Sequence, residues 1–138
     1  MTRSQQDWLA LTREAAIDPE LPIIDPHHHL WDYPTSRYLL DELLADTGSG
    51  HNVVQTVFVE CGSMYRQAGP PEMRPVGETE FVRGIAAMSA SGQYGSARVA
   101  AGIVGFADLT LGPKAAPVLE AHLAAGGGLF RGIRHAAS

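Results

Sequence analysis

Three consecutive histidines, His27, His28 and His29, close a short run that opens with Ile23, Ile24, Asp25 and Pro26. In an extended strand successive side chains alternate between faces. Asp25, His27 and His29 then share one face, and His28 points to the other. Two imidazoles two residues apart at a strand end reach one divalent ion, and nitrogen donors of this kind suit zinc or a similar first-row metal. A surface histidine cluster in a loop has the same sequence, and Pro26 removes one donor from any ladder. The H-x-H pattern is short, so both readings stand at this level.

Ionisable residues recur after the other apolar runs. Glu60 and Cys61 follow Val53 to Val59, Asp108 follows Val99 to Phe106, and Arg134 and His135 follow Leu129 to Ile133. Each has a plain alternative. Glu60 contacts substrate or caps a loop. Cys61 lacks an adjacent histidine base and reads as a small packed residue. Asp108 reads as the cap of the turn into Leu109-Thr110-Leu111-Gly112. Arg134 carries a planar fork for a carboxylate or pairs with a nearby acid. His135 orients substrate, donates a proton, or is simply exposed. His51 and His122 read as structural. The Gly48-Ser49-Gly50 stretch precedes a strand instead of opening a helix, so it does not read as an anion site.

These residues need elements to position them. A lead-in helix is predicted over residues 4–17, with Ser4 as its cap and Asp18-Pro19 ending it. Strands are predicted over residues 21–27, 53–60, 99–106 and 129–134, and helices over 38–45, 79–91 and 114–125. The run VVQTVFVE is β-branched and nearly all apolar, the mark of a strand buried on both faces. Gly126-Gly127-Gly128 punctuates the end of the last helix. The loop over residues 62–76 is long and rich in Gly and Pro, a length often tied to function.

Composition narrows the classes. Of 138 residues, 45% are hydrophobic and 18% charged, a globular balance. The net charge of −5, with Lys and Arg scattered singly, argues against a nucleic-acid partner. No apolar run is long enough to span a bilayer, and the first residues lack a signal-type core. The single cysteine, Cys61, excludes an intrachain disulfide and fits a cytoplasmic location.

Strand and helix alternate, the signature of βα units around a parallel sheet. The expected fold is the N-terminal half of a (β/α)8 TIM barrel, about four βα units with an N-terminal helix, apparently truncated; a closed barrel needs roughly 250 residues. The expected division is a lead-in over residues 1–20 and a partial barrel over 21–138. A small doubly wound domain is the alternative. A half-barrel leaves an open sheet edge suited to self-association.

Asp25-Pro26-His27-His28-His29-Leu30-Trp31 resembles the D-x-H-x-H-x-W opening of the amidohydrolase-related family, and Gly132-Ile133-Arg134-His135 resembles its G-x-R-x segment. That family comprises metal-dependent TIM-barrel hydrolases that include sugar-lactone and pyrone-dicarboxylate lactonases. The resemblance implies a hydrolase acting on a lactone, amide or related carboxylic derivative. His27 and His29 would ligate a divalent metal such as zinc, weakly held or dispensable, or polarise substrate directly. Glu60 and Arg134 would bind substrate and His135 would join the catalysis. The family's further histidine ligand and late-strand aspartate base have no counterpart within the 138 residues. Non-oxidative decarboxylation in the same barrel class, and an inactive partial barrel acting through association, are the competing expectations.

Overall fold

The structure is a computed structural model and describes residues 5–12 and 14–136. It is an α/β arrangement built on β1 (Pro22–His28), β4 (Asn52–Val59), β5 (Arg98–Gly105) and β6 (Phe130–Ile133), all parallel, in the spatial order β1-β4-β5-β6. Between β1 and β4 lie a two-stranded antiparallel hairpin, β2 (Trp31–Tyr33) and β3 (Ser36–Tyr38), and helix α2 (Leu40–Thr47). Helices α3 (Val76–Ala90) and α4 (Ala116–Gly126) make the next two crossovers. Near the N-terminus, α1 covers Gln5–Leu9.

The barrel expectation is corrected. The four strands form an open sheet, and among the described residues no strand joins β6 back to β1. Closing a sheet requires tilted, sheared strands whose last member pairs with the first. Here β1 and β6 stand at opposite edges, and β6 has only four residues.

One face of the sheet carries the core. His28, Phe58, Ile103 and Phe130 lie side by side through the register and are buried. Leu40 and Leu43 of α2 and Val82, Ile85 and Ala86 of α3 cover them, with Leu30 beside them. The opposite face is thinner. A side chain added at Gly102 would meet Val57 and Arg131, and Gln55 and Arg131 on these strands are exposed.

A bulge fits β5 to β4. The register moves from Gln55 opposite Arg98 to Val57 opposite Gly102, and Ala100 takes a left-handed φ of 51° there. The Ala100 amide leaves the ladder and donates to Thr56 Oγ1 at 2.9 Å. That hydroxyl lies 2.9 Å from His28 Nε2. A buried polar chain thus replaces the missing ladder bond.

Two local expectations differ from the structure. The helix over residues 4–17 is only Gln5–Leu9, and its cap, Ser4, lies outside the described residues. Trp8, Leu9 and Leu11 are exposed, so no core contact extends the helix. Residues 38–39 precede α2 instead of opening it, because Tyr38 is claimed by the hairpin, where Trp31 stacks on it at 4.9 Å. No helix among the described residues is long and apolar enough to cross a membrane.

Candidate functional site

The carboxyl ends of the parallel strands converge on one edge of the sheet, and the ionisable residues singled out by sequence sit there. At β1, His27 and His29 turn toward each other, with Nε2 atoms 3.3 Å apart and rings edge to face. His28 projects the other way, into the core, against Phe58. Asp25 bends the chain before the pair, its Oδ1 accepting the His27 amide at 3.0 Å.

His29 is oriented by β4. Its Nδ1–H donates to the carbonyl of Val59 at 2.7 Å, which leaves the Nε2 lone pair facing His27. With its proton on Nδ1, His29 accepts at Nε2, so it is the Nε2–H tautomer of His27 that donates to it. Two nitrogens bound to one tetrahedral zinc at about 2.0–2.1 Å lie about 3.3–3.4 Å apart, so the observed separation matches that of two ligands to one ion once the His27 proton moves to Nδ1. Anchoring the second ring nitrogen on a carbonyl is also how metal-ligating histidines are held. Among the described residues no group of three or more His, Cys, Asp or Glu side chains gathers for a metal. An open cavity of about 390 Å³ adjoins the pair, lined by Asp25, His27, His29, Tyr38, Asp46 and Thr47 among others. Tyr38 donates to Asp46 Oδ2 at 2.6 Å, and burial, then this bond, pushes its phenol upward.

Glu60 and Arg134 meet across the sheet. Arg134 Nε donates to Glu60 Oε1 at 2.9 Å and Nη2 to the Glu60 carbonyl at 2.8 Å. The ion-pair reading of Arg134 therefore describes its geometry, with other N–H groups of the fork still uncommitted. His135 turns away from them. Its Nδ1 accepts the Leu109 amide at 3.1 Å, its ring packs edge-on to Phe106, and Asp108 Oδ1 lies 3.8 Å away. Asp108 caps the following turn as its sequence suggests, accepting from the Thr110 amide at 2.9 Å. The Thr110 bonds hold its carboxyl below the usual range. His135, Phe106, Asp108, Leu111 and Glu72 line a separate cleft of about 320 Å³. With β1 and β6 at opposite edges, three strand spacings put roughly 14 Å between their ends.

The comparisons add one relative. The chain is similar to an uncharacterized protein of Sinorhizobium fredii, 29% identical over 137 residues that cover 83% of this chain and 40% of the relative. The chain thus spans about 40% of the length of that relative. No family model and no solved structure matches it.

Glu78 escaped the sequence reading as site material, whereas His122, read there as structural, is a core residue. Glu78, at the third position of α3, is 1% exposed. Its Oε2 accepts from the amides of Ser63 at 2.6 Å and Cys61 at 3.2 Å, and Oε1 has no partner among the described residues. Burial pushes its carboxyl upward, against the two amides. Burial and then Glu78 also raise the Cys61 thiol, to about 11. A proline ahead of an acidic third position is a helix-start signal, and Pro75 with Glu78 provides it. His122 is a satisfied core histidine: Nε2–H donates to the Phe106 carbonyl and Nδ1 accepts from Thr79 Oγ1, each at 2.8 Å. Burial lowers its pKa and that of His28.

Proposed function

We propose that this chain is a metal-assisted hydrolase of the amidohydrolase-related type, acting on a lactone, amide or related carboxylic derivative. The observation that carries the reading is the 3.3 Å approach of His27 Nε2 to His29 Nε2, with the far nitrogen of His29 tied to Val59. His27 and His29 would hold a divalent ion, zinc by ligand type, which when bound would supply Lewis-acid polarisation and lower the pKa of water. The Val59 bond keeps the His29 lone pair aimed at the cavity. Uncommitted N–H groups of Arg134 hold a substrate carboxylate or developing oxyanion, while Glu60 fixes the guanidinium plane. His135 faces the separate cleft beside Phe106 and Asp108, so it has no part in proton transfer at the histidine pair.

Small-molecule chemistry in the cytoplasm fits a chain with net charge −5 and a single cysteine. The free edges of β1 and β6 support association of two copies, which sedimentation of the purified chain tests by mass.

The experiment is hydrolysis of a lactone panel by the wild type, His27→Ala and His29→Ala. Loss of turnover in both variants is the expected result, and unchanged rates in both would overturn the reading. Carbon dioxide release from aromatic acids, without ring opening of lactones, would favour decarboxylation by the same edge.

A further inference from the structure

Two successive peptide groups leave β4, and each is held at both ends. In the first, the Val59 carbonyl accepts from His29 Nδ1 and the Glu60 amide donates to the Val104 carbonyl at 2.8 Å. In the second, the Glu60 carbonyl accepts from Arg134 Nη2 and the Cys61 amide donates to Glu78 Oε2. A guanidinium on the oxygen and a carboxyl on the N–H polarise one peptide in the same sense, so each bond strengthens the other. The ladder with β5 ends here, because the chain turns out of the strand through Gly62 at φ 78° and Met64 at φ 55°. A left-handed methionine persists only where its surroundings hold it. The first turn of α3 is what holds it: at Gly77 a Cβ would lie 2.6 Å from the Met64 carbonyl, and the next residue is Glu78.

We infer that Glu78 is a positioning residue, which clamps the Glu60–Cys61 peptide against Arg134 and so sets the Val59 carbonyl that orients His29. Without an oxygen at this place, the amides of Cys61 and Ser63 lose their partner and the strand end is free to rotate. That rotation carries the Val59 carbonyl off His29 Nδ1, and the ring loses its fixed tautomer. The metal arm of the test below rests on the ligand role proposed for His27 and His29; the other two arms do not.

The test compares the wild type with Glu78→Leu, which fills the volume without an acceptor, and Glu78→Gln, which keeps one. Three quantities are read: hydrogen exchange of the Cys61 amide, the imidazole nitrogen resonances of His29, and zinc affinity by calorimetry. Glu78→Leu is expected to speed Cys61 exchange at least about tenfold, to move His29 from one tautomer to a mixture, and to weaken zinc about tenfold or more. Glu78→Gln is expected to restore all three toward wild type. A folded Glu78→Leu protein with unaltered His29 resonances would overturn the inference. If that variant does not fold, Arg134→Met tests the clamp from the carbonyl side, since the Arg134 side chain is partly exposed. It is expected to speed Cys61 exchange and disturb His29, and no change in either would overturn the clamp. If the wild type binds no zinc while Glu78→Leu still shows the exchange and ring effects, the ligand role falls and the clamp stands.

Discussion

His29 Nδ1 lies 2.7 Å from the carbonyl oxygen of Val59, so a ring on the edge strand is oriented by the backbone of its neighbour. One bond therefore couples the histidine pair to the end of β4, and through it to Glu60, Arg134 and Glu78. Substitutions around this edge should separate residues that hold the fold from residues that aim the site.

Gly77→Ala should destabilise the protein by about 1–3 kcal/mol, despite the better helix propensity of alanine. Its Cβ would fall 2.6 Å from the Met64 carbonyl and 2.8 Å from the Arg66 amide, both backbone atoms that cannot swing aside. Urea denaturation reads the loss, and a stabilised variant would show that the loop is not seated on α3 as described.

His122→Ala should cost roughly 2–4 kcal/mol. The ring is 0% exposed, stacks on Phe130 at 5.0 Å, and satisfies both Thr79 and the Phe106 carbonyl. Truncation removes the packing and leaves two buried polar groups unpaired. A loss of about 0.5 kcal/mol or less, the size of a surface change, would contradict this account.

The pH dependence of stability has opposing parts. His28 and His122 sit below their ordinary value of 6.5, so under that pH the unfolded chain takes up more protons and the fold weakens as pH falls. Glu78 sits above its ordinary 4.5, so its contribution is full below 4.5 and is lost as pH rises through its folded value. Glu78→Gln removes the second part. Between about pH 5 and 7 its stability should therefore climb with pH more steeply than that of wild type. Denaturation midpoints across that range decide it; a shallower slope in the variant reverses the assigned sign.

Cys61 should be a sluggish thiol. A shift from 9.0 to about 11 leaves about 100-fold less thiolate near neutral pH, and partial burial slows access further. Reaction with a disulfide reagent on the folded chain should be correspondingly slow and should accelerate in urea. Alkylation as fast as a free thiol in the folded state would place Cys61 elsewhere.

Much of the frame was legible because it rests on local pattern. The run VVQTVFVE reads as a strand, and β4 occupies all but its last residue, but only one of its faces is buried and Gln55 is exposed. The alternation of His27, His28 and His29 gave the opposed directions of their rings, since it depends on strand period alone. The half-barrel was expected and is not there: βα alternation is common to barrels and open sheets, and how the edge strands pair is encoded by no single segment. The β2–β3 hairpin was missed because three-residue strands are too short for periodicity, although Trp31 opposite Tyr38 is an aromatic cross-strand pair. Glu78 was missed for a different reason. Pro75-Val76-Gly77 looks like loop, and only the seating of Ser63 and Cys61 on the helix end shows why a carboxyl is buried there.

The central claim is that His27 and His29 act as a pair on one ion, and zinc titration by calorimetry tests it most directly. The wild type should bind one zinc per chain in a saturable isotherm. His27→Ala and His29→Ala should each abolish that isotherm while leaving the denaturation midpoint nearly unchanged, because His27 is exposed and His29 only half-buried. Undiminished one-to-one binding in both variants, or none in the wild type, would contradict the account.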